Sequence, residues 1–205
     1  MYHGERFNAI SHCIGAVLAV IGCTLLVVFS SLQGVVKEIV SASVYGGSLV
    51  ALYTTSTLYH SFTGRLKQIF QKLDHCAIYL LIAGSYTPFT LITLEGAWGW
   101  TLFGINWSLA LIGIIQEFIL GKRTRIVSLV IYLVMGWLIV IAIKPLIAAI
   151  SGAGLFWLVA GGVTYSLGVI FFVLDEKIKH GHGIWHLFVL AGSIMQFVSI
   201  FFYVL

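Results

Sequence analysis

Seven apolar stretches follow one another along the chain, at 8–31, 40–60, 74–94, 98–120, 126–143, 155–174 and 183–205. Each is about twenty residues long, the length an α-helix needs to cross a hydrocarbon core of roughly 30 Å. Short polar or glycine-containing connections separate them, and none is long enough to divide the chain. The pattern predicts an all-α membrane protein: a seven-transmembrane helix bundle forming a single domain over residues 1–205. The first stretch is too long for a signal-peptide core, and no small-residue cleavage site follows it, so it is read as a true span.

A few polar residues interrupt the spans. Pro88 falls inside the third, where its ring removes a backbone hydrogen bond and predicts a kink that the Ser85 and Thr87 hydroxyls can partly compensate. Asn106, Gln116, Glu117 and Gln196 are read as hydrogen-bonding groups between helices.

Composition sharpens the class. Hydrophobic residues make up 60% of the chain and charged ones 9%, against roughly 25% charged in soluble domains. The net charge of +4 does not mark a nucleic-acid binder, because the basic residues are spread over short loops. Their distribution reads instead as topology. Arg6, Arg65, Lys67, Lys72, Lys122, Arg123, Arg125, Lys177 and Lys179 fall on one side, and only Lys37 and Lys144 on the other. The positive-inside rule then predicts a cytoplasmic N-terminus and an external C-terminus in a multi-pass protein of the cell membrane. Cys13, Cys23 and Cys76 form no paired motif and are read as buried thiols.

The candidate chemistry gathers at the cytoplasmic boundary. His182 and His186 are four residues apart, so both imidazoles face one side of the last helix and can ligate one ion. The second span ends there with Ser56 and His60 one turn apart, and the third begins there with Asp74. Residues more than a hundred positions apart thus reach one membrane depth. Three imidazoles, His60, His182 and His186, suit zinc with one coordination position open to water, the arrangement of a catalytic site. Asp74 is placed behind that water, to orient it or take its proton, and Ser56 is placed to hydrogen-bond to Asp74, to the bound water or to a substrate oxygen. His75 points about 100° away from Asp74 around the helix, and His180 lacks the four-residue spacing to the other two. Neither is assigned as a ligand. Glu5, Asn8 and His12 form a polar stripe on the first helix. They are read as support behind the ligands or as packing against the last helix, ahead of direct ligation.

The segments Glu5-Arg6-Phe7-Asn8, Ser11-His12, Ser56-Thr57-Leu58-Tyr59-His60, Asp74-His75, Gly84-Ser85-Tyr86-Thr87-Pro88 and His182 to His186 together resemble a known family. It is the bacterial hemolysin III-type branch of the progestin and adiponectin receptor superfamily, and the resemblance spans essentially the whole chain. It implies a seven-helix bundle with a cytoplasmic-side zinc on His60, His182 and His186, with Asp74 contacting the metal through water and Ser56 in the same cluster. Alkaline ceramidases are similar in this motif set, which implies hydrolysis of lipid amides. No long N-terminal region of the animal-receptor kind precedes Glu5, so the membrane site rather than hormone reception is the expected shared element.

The reading that follows is a zinc-dependent hydrolase acting on a membrane lipid amide or ester, which enters sideways from the bilayer, with Asp74 and Ser56 as catalytic residues. The alternative is a non-enzymatic sensor or regulator of membrane lipid state in which zinc ties helices together. A pore-forming hemolysin fits less well, since no span shows a continuous polar face. A retinal protein is excluded by the absence of lysine after Gly183.

Overall fold

A computed structural model describes residues 4–120 and 125–205. Lys122 and Arg123 of the basic-loop reading lie outside the described residues. The chain is all-helical there: α1 Arg6–Gln33, α2 Val36–Ser61, α3 Gly64–Pro88, α4 Gly96–Leu120, α5 Arg125–Trp137, α6 Ile143–Ala149, α7 Gly152–Val173 and α8 Gly181–Tyr203. A π-helical turn, Phe89–Leu94, continues α3, and a 3-10 turn, Leu138–Ala142, joins α5 to α6. Among the described residues, six segments are long and apolar enough to cross a membrane, the α5–α6 pair counting as one. The protein is a multi-pass membrane protein.

The remaining long helix, α2, is the most hydroxyl-rich, yet five of its hydroxyls are spent locally. Ser43, Ser48, Thr55, Thr57 and Ser61 each donate to a carbonyl three or four residues back. A helix that satisfies its own polar groups tolerates burial in an apolar bundle. It is also central: Tyr45 and Tyr53 are buried, and both hydrogen-bond to Ser193 of α8. Tyr165 of α7 reaches the same Ser193 hydroxyl at 2.8 Å. At 26 residues, α2 is about 39 Å long.

Two helices differ from the sequence expectation. α3 begins at Gly64, ten residues before the apolar stretch. Leu66, Ile69, Phe70 and Leu73 recur at helical spacing among Arg65, Lys67 and Lys72, giving an amphipathic first portion that a search for continuous apolarity misses. The fifth span continues to Ala149 but is broken, since Pro145 cannot donate to the preceding turn. Tyr86 bridges the break. Its hydroxyl donates to Gly136 O at 2.8 Å and accepts the Ile139 N–H at 2.9 Å.

Pro88 closes α3, and the π turn follows it directly. Ser85 and Thr87 hydroxyls donate to Ile82 O and Ala83 O. The other intramembrane polar residues do link helices: Asn106 to Met135 O, Gln116 to Ser128, Glu117 to His75 and Gln196 to Leu158 O.

The two ends of the bundle are chemically distinct. Gln33, at the end of α1, donates to the Leu205 carbonyl, and Lys37 pairs with Glu95 at 2.8 Å. Glu5, His60, Lys67 and His182 lie at the other end.

Candidate metal centre

The last turn of α2 and the first turns of α8 meet beneath the start of α1. There the rings of His60, His182 and His186 lie with centroids 5.1, 4.9 and 4.8 Å apart in the pairs 60–182, 60–186 and 182–186. One ligand atom from each falls within 4.8 Å of the others. This approach depends on small residues. A Cβ on Gly183 would collide with the Phe7 ring and sit 2.9 Å from Asn8 Oδ1, so only glycine lets α1 cross α8 here.

Each ring is oriented through its Nδ1. His60 Nδ1 lies 2.6 Å from Glu5 Oε2, His182 Nδ1 lies 3.3 Å from Asp175 Oδ2, and His186 Nδ1 lies 3.1 Å from the Asn8 carbonyl oxygen and 3.2 Å from Ser11 Oγ. With Nδ1 occupied, Nε2 is left as the coordinating nitrogen, and that of His60 is buried with no hydrogen-bond partner. A histidine whose second nitrogen is fixed by a carboxylate or carbonyl is the usual form of a metal-ligating imidazole. Three such donors around a common point fit a metal ion, and the group can hold one.

Glu5 is itself fixed by three donors. Lys67 Nζ reaches Oε1 at 2.7 Å, and Asn8 Nδ2 reaches Oε2 at 2.8 Å beside His60. The hydrogen bond from His60, followed by those from Lys67 and Asn8, holds this carboxyl well below the usual carboxylate range despite partial burial.

Ser56 and Asp74 adjoin the triad. Ser56 Oγ is 2.7 Å from His12 Nδ1 and lies beside the buried Asp74 carboxyl group. His12 stacks on His186 with centroids 3.5 Å apart and an interplanar angle of 14°. The stripe on α1 therefore packs behind the three histidines. Glu5 orients His60, Asn8 orients His186, and His12 lies on His186. His75 turns away to α4, where its Nδ1 meets Glu117 Oε1 at 2.8 Å. His180 caps α8 with a left-handed backbone and packs edge-on against Phe7.

Asp175 is the participant that sequence reasoning missed. Its signal was faint: an acidic residue seven positions before His182, in a turn too short to stray from it.

A cavity of about 950 Å³ runs from His60 and His182 past Asp74 and Ser85 to Leu146 and Gln196. Beyond the polar cluster its walls are mainly aliphatic and aromatic.

A family profile described as "Haemolysin-III related" matches residues 1–197. The chain belongs to the haemolysin-III-related family. Within the family it is 50% identical to Hemolysin-3 of Bacillus cereus over 202 residues, covering 98% of this chain and 92% of that protein. It is 48% identical to the Hemolysin-3 homolog of Bacillus subtilis (strain 168) over 200 residues, covering 97% and 93% respectively. Human monocyte to macrophage differentiation factor is 31% identical over 205 residues, covering 96% of this chain and 82% of that one. This human relative supports the relationship to the progestin and adiponectin receptor superfamily.

Proposed function

We propose that the protein is a zinc-dependent hydrolase of a membrane lipid amide or ester, working at the cytoplasmic side of the bilayer. The observation that carries the reading is a three-imidazole group opening directly onto a long, mainly apolar cavity. Bound there, zinc would polarise a substrate carbonyl and lower the pKa of a bound water. Six spans together with α2 support a reading of seven crossings, and the distribution of basic residues supports a cytoplasmic N-terminus and site.

The chain's own residues then divide the work. The apolar cavity walls hold the acyl chain and exclude bulk water, and the position of the scissile carbonyl would be set by the ion that His60, His182 and His186 would hold. Asp74 accepts a proton from the attacking water as its oxygen bonds to the carbonyl carbon. It returns that proton to the leaving nitrogen or oxygen as the carbonyl bond to it breaks. Ser56 orients the Asp74 carboxylate through its hydroxyl.

Purified Asp74→Asn and Ser56→Ala proteins, compared with wild type in a lipid-release assay at equal zinc occupancy, test this assignment. Asn keeps the shape of Asp but is no base at neutral pH, so the expected loss is about 10²–10⁴-fold. Ser56→Ala removes one orienting hydroxyl and should cost about 10–100-fold. The second reading, a metal-stapled regulator of membrane state, is favoured by the way the triad joins α2 to α8. Full biological complementation by a zinc-loaded, hydrolytically dead Asp74→Asn protein would establish it over the enzyme.

A further inference from the structure

His12 is 3% exposed, and its Nε2 is buried without a hydrogen-bond partner. Its ring is held on three sides: Nδ1 on Ser56 Oγ, one face on His186, and an edge contact to Tyr53 at 5.0 Å. The side chain lines the same cavity as the triad, yet it does not join the group of mutually close ligand atoms formed by His60, His182 and His186. A nitrogen so placed is neither a member of the metal group nor satisfied by the protein.

His12 Nδ1 lies 2.7 Å from Ser56 Oγ, and a serine hydroxyl can accept from an imidazole N–H. In the tautomer with Nδ1–H donating to Ser56, the other ring nitrogen is left to accept. A neutral imidazole protonated on Nδ1 carries a lone pair on Nε2. An acceptor buried this deeply is costly when unpaired, so a ligand able to donate to it gains on binding.

We propose that His12 Nε2 contacts the ligand headgroup, accepting a hydrogen bond from an N–H or O–H borne next to the oxygen held at the His60, His182 and His186 site. The inference rests on the metal-site reading above. It assigns to the site a lipid headgroup with a donor beside its metal-seeking oxygen, and discrimination against the same headgroup with that donor blocked.

The test uses dodecanoyl hydroxamic acid and its N-methyl derivative as probes. Their binding to purified, zinc-containing full-length protein is measured by titration calorimetry, with zinc analysed on the same samples. Wild type should bind the N–H compound about tenfold more tightly. In His12→Phe, which keeps a ring to stack on His186, the preference should vanish with zinc unchanged. In His12→Gln, whose amide can donate to Ser56 and still accept, part of the preference should return. Should His12→Phe fail to fold, the wild-type and His12→Gln comparison decides. Equal binding of both probes by wild type overturns the proposal, as does a preference that survives in His12→Phe. Loss of zinc from folded His12→Phe overturns it too, by making His12 a ligand. A probe preference without lipid turnover would sink the hydrolase reading alone. Protein that holds no zinc and binds neither probe would overturn both.

Discussion

His60 and Glu5 are joined by a 2.6 Å contact between Nδ1 and Oε2, the shortest of the bonds that orient the three histidines. It aims the opposite nitrogen of His60 at the centre of the triad and fastens the start of α1 to the end of α2. His182 has a looser counterpart in Asp175, at 3.3 Å.

The difference between these two bonds sets an order of effects. Glu5→Gln should weaken metal affinity by about 10–100-fold, the usual cost of losing such a partner. Asp175→Asn should fall at or below the lower end of that range. Competition against a chelator of known affinity measures both. A larger loss in Asp175→Asn than in Glu5→Gln would contradict the assignment of Glu5 as the principal orienting group.

The same pairing predicts acid sensitivity. The Glu5 carboxyl is held below its ordinary value of 4.5, first by His60 and then by Lys67 and Asn8. A carboxyl with a lower pKa folded than unfolded binds protons more readily in the unfolded chain, so its stabilisation is complete above about pH 4.5 and is lost as the pH falls below that. Thermal unfolding of metal-free protein between about pH 6 and pH 3 should therefore show a falling Tm, with a shallower fall in Glu5→Gln. Identical slopes would remove Glu5 from the acid response.

Close packing of α1 on α8 gives a separate prediction. Gly183→Ala inserts a methyl against Phe7 and Asn8, an overpacking that costs about 1–3 kcal/mol. It should also loosen the Asn8 carbonyl from His186, lowering metal affinity together with Tm. Gly47→Ala, where an added Cβ meets nothing within 4 Å, serves as the control. Equal behaviour of the two variants would refute the argument.

Topology is tested by cysteine labelling of intact cells at positions introduced beside Arg65 and beside Gly96. Seven crossings with the N-terminus inside predict labelling from outside beside Gly96 only. External labelling at the Arg65 loop would place the metal group on the other face of the membrane.

Much of this was legible in the sequence, because a membrane constrains depth. Once the spans are drawn, His60, Asp74, His182 and His186 must fall near one level, and the four-residue spacing puts the last two on one helix face. What remained hidden depends on short-range geometry. The Asp175 contact forms only because the turn after α7 folds back on α8, and the stack of His12 on His186 depends on how α1 crosses α8. The early start of α3 was obscured by Lys67 and Lys72, which break the apolar run while completing an amphipathic helical pattern. The break between α5 and α6 follows from Pro145, but its repair by Tyr86 joins residues some fifty positions apart.

The most direct measurement is the metal content of detergent-purified protein, wild type beside His60→Ala and His186→Ala. The proposed zinc site predicts about one zinc per wild-type chain and loss of most of it in either variant, with a lowered Tm because a metal bound only by the folded state stabilises that state. Stoichiometric zinc retained in both variants would contradict the site.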